Sequence, residues 1–267
     1  MKLFLISFLI AVSFVVGSCA QQASTRKEDM TLTVLSYNIH HANPPSEPDK
    51  IDLEAIANVI NESRADLVGL QEVDVHTIRS GQSSNQAEVL GEMTGMHVFF
   101  SRGIDYQGGE YGTAILSRYP IKQAERFELP NLEGLQAEPR TLAVVTVAVE
   151  GKWVKFANTH LDYTNGENNL LQVNKILEMF KGEESPIILV GDFNALPDSP
   201  SIQLLDQHFM RSCVVDCGFT IPQVQPNRTI DFIMASKDAP FEVTDHEVID
   251  EPYASDHLPV RAVYRMK

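Results

Sequence analysis

Six short polar clusters punctuate the 267-residue sequence, each at the end of an apolar run. In chain order they are Ser36-Tyr37-Asn38, Gly69-Leu70-Gln71-Glu72, Asn158-Thr159-His160-Leu161-Asp162, Gly191-Asp192-Phe193-Asn194, Ile230-Asp231-Phe232 and Ser255-Asp256-His257-Leu258-Pro259. They offer carboxylates, amides and imidazoles, and no cysteine. Donors this rich in oxygen suit a hard cation, Mg2+ or Mn2+, better than zinc. Taken singly, each cluster has a plain structural reading. A carboxylate after a strand is often a helix cap or turn former, and Ser-Asp-His serves equally as a turn. The chemistry needs a fold that carries all six clusters to one place.

The apolar runs supply that fold. Thr31 to Ile39 is β-rich and ends in polar residues. Ile51 to Asn61 has apolar residues at helical spacing, with Asp49 available as a start signal. Leu67 to Leu70 is a short buried strand. Gln86 to Met93 reads as a helix that Gly95 ends. Val98 to Ser101 and Thr113 to Ser117 are strands on either side of the Gly108-Gly109 turn. Arg140 to Val149 and Trp153 to Thr159 form a hairpin. Gly166 to Phe180 is a helix, Pro186 to Val190 a strand and Ser201 to His208 a short helix. Thr229 to Ala235, Phe241 to Ile249 and Pro259 to Tyr264 are the last strands. Several strands are short apolar runs, as burial on both faces requires. No linker, repeat or low-complexity tract divides Met30 from Lys267, so one α/β domain with packed sheets and outer helices is expected.

The six clusters, in this order, resemble those of the endonuclease/exonuclease/phosphatase superfamily, the DNase I-like Mg2+-dependent phosphoesterases. The resemblance runs from about Thr31 to Val263. It rests on Leu-Gln-Glu-Val-Asp at 70–74, Gly-Asp-Phe-Asn at 191–194, Ile-Asp-Phe-Ile at 230–233 and Ser-Asp-His-Leu-Pro-Val at 255–260. Tyr111 to Arg118 also fits that family's middle strand. The resemblance implies a four-layer α/β sandwich, two packed, mostly antiparallel β-sheets flanked by helices. It implies Glu72 as principal metal ligand, with Asn38 beside it and Asp256 as a further metal-side carboxylate. Asp192 and Asn194 resemble the pair that positions the attacking water and the phosphate. His257 resembles the catalytic histidine, oriented and charged by Asp231. His160 matches a contact to a phosphate oxygen. Arg140, opening its strand, faces the phosphate or makes a structural ion pair. The chemistry is consistent: charge builds on the phosphate oxygens during hydrolysis, where a cation and His or Asn donors are useful. Whether Asp192 or the His257–Asp231 pair takes the proton from water is open at this level.

Charge narrows the substrate. With 36 acidic and 21 basic residues the net charge is −15, unlike that of a protein that coats nucleic acid, which needs clustered Lys and Arg. An enzyme that reaches phosphate through a divalent cation is still compatible. The expected substrate is a small or lipid-derived phosphate ester, acted on by a phosphodiesterase or phosphatase. An exported nuclease and a non-catalytic surface binding lipoprotein are the alternatives, the last disfavoured because every expected site group is present. His40, His41, His76 and Arg79 follow site clusters and line the pocket or a solvated loop. Asp74 supports the site from outside. Asp162 either orients His160 or forms a turn. Trp153 is expected in the core. His97, His208 and His246 match no motif.

Residues 1–18 read as a lipoprotein signal peptide: Lys2, an apolar stretch from Leu3 to Val16, then Val16-Gly17-Ser18-Cys19, which resembles a bacterial lipobox. Cys19 is then lipidated, residues 19–30 form a polar tether, and 31–267 are the catalytic domain. The protein is expected to be exported and held at a membrane by its acyl group alone. Cys213 and Cys217 are read as buried, unpaired thiols, although a bend in the chain would let them pair in an oxidising compartment.

Overall fold

The computed structural model describes residues 31–266, so the signal peptide, Cys19 and the tether expected before Thr31 lie outside the described residues. Twelve strands and four helices follow in the order β1 (Thr31–Asn38), α1 (Leu53–Ser63), β2 (Leu67–Val75), α2 (Gln86–Thr94), β3 (His97–Tyr106), β4 (Gly109–Ser117), β5 (Ile121–Glu128), β6 (Thr141–Val149), β7 (Lys152–His160), α3 (Gly166–Met179), β8 (Ile187–Asp192), α4 (Pro200–His208), β9 (Phe209–Arg211), β10 (Asp231–Ser236), β11 (Phe241–Val248) and β12 (Val260–Met266). They build two six-stranded sheets, ordered β11-β12-β1-β2-β4-β3 and β5-β6-β7-β8-β10-β9. In each, one central pair is parallel, β1 with β2 and β7 with β8. The other pairs are antiparallel.

Alternation along each strand explains the layers. On β1, Leu32 and Val34 face a central core between the sheets, with Phe156, Ile188 and Val190 of the other sheet. Leu35 and Tyr37 point the opposite way, onto Ile56 and Ile60 of α1 and Leu90 of α2. On β8, Ile187 and Leu189 turn outward onto Val173 and Ile176 of α3 and Ile202 and Leu205 of α4. Strands covered on both faces read as continuous apolar runs, and this one is an α/β/β/α sandwich. Among the described residues no helix is long and apolar enough to cross a membrane.

The structure corrects several sequence expectations. Helix α1 is capped by Asp52, which accepts from the Ala55 N–H, rather than by Asp49. Strand β5 has no counterpart in the sequence reading because it is a sheet edge with Lys122, Gln123 and Glu125 exposed, the charged dressing that edges carry. Strand β9 is too short to leave a periodic signal. Trp153 is half exposed, since it lies at the outer end of the β6–β7 hairpin. Cys213 and Cys217 are joined in a disulfide, with Cα atoms 5.6 Å apart. The bend that closes it belongs to an irregular segment whose shape no local periodicity encodes.

Candidate active site

The C-terminal ends of four central strands meet at one edge of the sandwich. Parallel pairing of β7 and β8 sets His160 beside Asp192, and antiparallel pairing of β8 and β10 sets Asp231 on the other side of Asp192. Parallel pairing of β1 and β2 brings Asn38 level with Gln71. The next residue, Glu72, departs from the pleat. Pairing of β2 with β4 slips between Leu70 and Val73, and Glu72 takes a left-handed φ of 59°. A bulge of this kind re-aims a side chain out of the ladder. His257 arrives on the loop before β12. That loop is pinned by Ser255, whose hydroxyl donates to the Asn38 carbonyl at 2.7 Å and accepts from the His257 N–H.

Asp192 is the hub. Its Oδ2 accepts from Asn38 Nδ2 at 3.1 Å and lies 3.5 Å from His160 Nε2 and 3.7 Å from His257 Nε2. Its Oδ1 accepts from the Asn194 N–H, a turn that holds Asn194 at a left-handed φ of 48°. The same Asn38 amide also donates to Glu72 Oε1 at 3.0 Å. His257 Nδ1 is bonded to Asp231 Oδ2 at 2.9 Å, while Asp231 Oδ1 is buried without a partner. All six clusters therefore supply a residue to one buried site. Asn194 directs one amide N–H to the Leu161 carbonyl. Asp256 contributes charge against His257 rather than a bond to it.

Electrostatics follow from burial. Burial, then the charge of Asp231, pushes the Asp192 carboxyl up to about 7. Burial acts to lower His257, but the Asp231 carboxylate outweighs it, with Asp192 and Asp256 adding to it, and raises the imidazole to about 10. The group is an imidazolium at neutral pH. His160 goes the other way, held well below its ordinary value by burial, Arg140 and His257, so it stays neutral. Arg140 is itself 5% exposed; Nη1 pairs with Glu138 at 3.0 Å and its buried Nε has no partner.

Asp192, Asp231 and His257 present ligand-type atoms all within 4.8 Å of one another. Asp231 Oδ2 is engaged by His257, which leaves its unpartnered Oδ1 as the free ligand atom. Glu72 and Asn38 add oxygens beside Asp192, the kind of donor a hard cation prefers. Burial and the neighbouring Asp231 charge raise Asp192, so positive charge placed beside it is stabilising. A cation fits such a site.

The surrounding residues sort themselves by contact. Asp74 is fully buried and grips Arg79 through two bonds, 2.7 and 2.9 Å, and Arg79 stacks against Tyr106 and Tyr111. Asp162 has the turn role: it accepts from Thr164 and Asn168. His40, His41 and Ala42 form a tight left-handed turn after β1, where burial and Arg79 lower His41 to about 4. His76 is exposed and bonds to the Gln82 carbonyl. The sequence reading missed Glu138 as the partner of Arg140. It also missed a cross-sheet clasp below the site. Gln71 donates to Asn158 at 2.7 Å, and Asn158 donates to the Leu70 and Ala114 carbonyls of the facing sheet, both at 2.9 Å. A polar residue inside the apolar run of β7 was the available signal.

Residues 35–257 match the family model of the Endonuclease/Exonuclease/phosphatase family. YbhP, an uncharacterized protein of Escherichia coli K12, is 24% identical over 176 residues, which cover 62% of this chain and 68% of that one. An endonuclease/exonuclease/phosphatase from Beutenbergia cavernae superposes with a TM-score of 0.75 at 25% identity, over 89% of this chain and 72% of its own. A mannosyl-6-phosphatase of Bacteroides thetaiotaomicron shares the fold, with a TM-score of 0.69 and 22% identity over 87% of this chain and 99% of its own.

Proposed function

The chain belongs to the endonuclease/exonuclease/phosphatase family, and we propose that it is a divalent-metal-dependent hydrolase of phosphate esters, a phosphodiesterase or phosphatase. The observation that carries this reading is the placement of Asp192 against Asn38, His160 and His257, with His257 braced by Asp231.

In this reading Glu72, Asn38 and Asp256 hold Mg2+ or Mn2+. The cation supplies the positive charge that offsets the phosphate and this acidic surface. Asp192 orients the attacking water and accepts its proton, with Asn194 positioning the phosphate. His257, charged and aimed by Asp231, donates to a phosphate oxygen as negative charge develops. His160 contributes a neutral imidazole N–H to the same group. Arg140 extends a buried guanidinium to the phosphate side. All these groups are held by strand ends or pinned turns, so little reorganisation is needed during reaction.

The same reading places the enzyme outside the cytoplasm, attached to a membrane through lipidated Cys19. The Cys213–Cys217 disulfide supports export, since such bonds persist in oxidising compartments. The substrate is a small or lipid-derived ester rather than DNA.

Phosphorus NMR tests the reaction. The protein is mixed with Mg2+ and a panel of phosphomonoesters and diesters that includes phosphocholine lipid and short DNA. Cleavage of one class is expected, lost on chelation with EDTA and restored by Mg2+. Folded, Mg2+-supplied protein that cleaves no class overturns the proposal.

A further inference from the structure

Two spaces of very different size border the hydrolytic site. On the Arg140 side, the space between Tyr111, Glu138, Arg140 and His160 amounts to about 10 Å³, no more than one water needs. On the Asp231 side lies a cavity of about 450 Å³, within the range of small-molecule sites. Asp231 is a wall of both the catalytic site and this cavity.

The cavity is mostly apolar. Val214, Phe219, Phe232, Val248 and Val260 line it, beneath the segment closed by Cys213–Cys217. Its charged lining is largely accounted for. Arg211 is paired through two bonds of 2.9 Å with Asp206, and Asp216 stands at the exposed rim. The roof is braced rather than collapsed. Thr229 donates to the Gly218 carbonyl, Thr220 accepts from Ile230 N–H and from Leu258 N–H, and His246 bonds to both Ser212 and the Cys217 carbonyl. At its mouth Val214 is 65% and Phe219 52% exposed. Large apolar side chains clustered in water at the rim of a cavity mark a binding surface.

We propose that this cavity is the subsite for the apolar part of the substrate, a hydrocarbon chain carried by an amphiphilic phosphate ester whose phosphate occupies the neighbouring hydrolytic site. The inference rests on the phosphoesterase reading above. Asp231 belongs both to the His257 pair and to the lining of the cavity, which sets the two side by side. The chain enters as a single molecule, because the cavity has the volume of one small ligand.

Calorimetry with alkylphosphonates reads the subsite without requiring turnover. Methyl- to octylphosphonate are titrated into Mg2+-supplied protein, each below its micelle concentration. Affinity is expected to rise up to roughly 4-fold per added methylene until the cavity is full, the increment of a buried CH2. The double variant Val214→Ser, Phe219→Ala removes only exposed side chains. It should lose at least about 10-fold of the octyl affinity and bind methylphosphonate as wild type does. Equal affinity for methyl- and octylphosphonate overturns the proposal, as does a chain-length gain that survives unchanged in the double variant. A gain seen only with ester presented in phosphatidylcholine vesicles also overturns it and assigns the rim to a lipid surface. The outcome is separable from that of the NMR experiment. Inactive protein that still shows the chain-length gain keeps the cavity and loses the reaction, and active protein without the gain does the reverse.

Discussion

Glu72 occupies its position at a cost. A non-glycine residue in the left-handed region is disfavoured by roughly 1–2 kcal/mol, and Glu72 and Asn194 both sit there at the site. Strain of this kind persists where the surroundings over-determine the backbone. Here the surroundings are the β2 bulge for one residue and the Asp192 carboxylate for the other. The proposed roles predict that Glu72→Ala and His257→Ala each lower turnover by at least ~100-fold, the scale of one charge-stabilising or acid/base group. Rates within a few-fold of wild type in either folded, purified variant would remove that residue from the site. Both residues are legible in the sequence as strand-end polar groups. The Asn38 amide that bridges Glu72 and Asp192 is legible only as a member of the set, because its two partners lie 34 and 154 residues away.

At the scale of elements, the sheets are held in register by buried polar contacts as well as by packing. Asn158 reaches from β7 to the carbonyls of Leu70 on β2 and Ala114 on β4. Gly69 leaves room for this, since a Cβ there would collide with Val190 and crowd Asn158. Truncating Asn158 to Ala removes the side-chain donor from two buried carbonyls, while the Gln71 amide keeps its bond to the Gly69 carbonyl. An expected loss of about 3 kcal/mol follows from the cost of unpaired buried groups, measured as a lower urea midpoint. A loss below about 1 kcal/mol would mean that water replaces the clasp. Farther out, Lys155 on β7 holds Glu183 in the α3–β8 loop. The hydrogen bond from Lys155 pulls the Glu183 carboxyl down to about 2. The folded value is the lower one, so the contribution is complete above the unfolded value near ~4.3 and is lost as pH falls through about 2. The pair is partly solvated, which limits it to about 1 kcal/mol or less. Lys155→Met should therefore be less stable than wild type at pH 6, and the two urea midpoints should converge near pH 2. A constant gap across that window would assign the effect to packing of the Lys155 stem. The sequence readily shows the strands buried on both faces and the helices with amphipathic spacing. It conceals the exposed edge β5 and the three-residue β9, whose residues carry no alternating burial to report.

Across the whole molecule, the hydrolytic site lies where the ends of β1, β2, β7 and β8 converge, while Thr31 opens β1 at its opposite end. A tether of residues 19–30 would thus join the domain at the end of β1 remote from Asn38. Replacing Cys19 by Ala is expected to move the protein from the membrane fraction to the soluble fraction after cell lysis, with hydrolysis per molecule unchanged. Retention in the membrane fraction would refute acylation as the anchor. Sequence by itself determined the α/β character and the family resemblance, and it singled out the polar strand-end residues that the fold gathers. Those properties reside in short stretches: alternation over a few residues reports which faces are buried, and a polar residue closing an apolar run reports a strand end. Tertiary structure alone decided that Asp192 is the shared partner of Asn38, His160 and His257, that Glu138 meets Arg140, that Cys213 and Cys217 are bonded, and that a cavity lies on the far side of Asp231. Each of these depends on how two twisted sheets are set against each other and on how irregular segments bend. Both are settled by the summed packing of residues far apart in the chain, which no local pattern records.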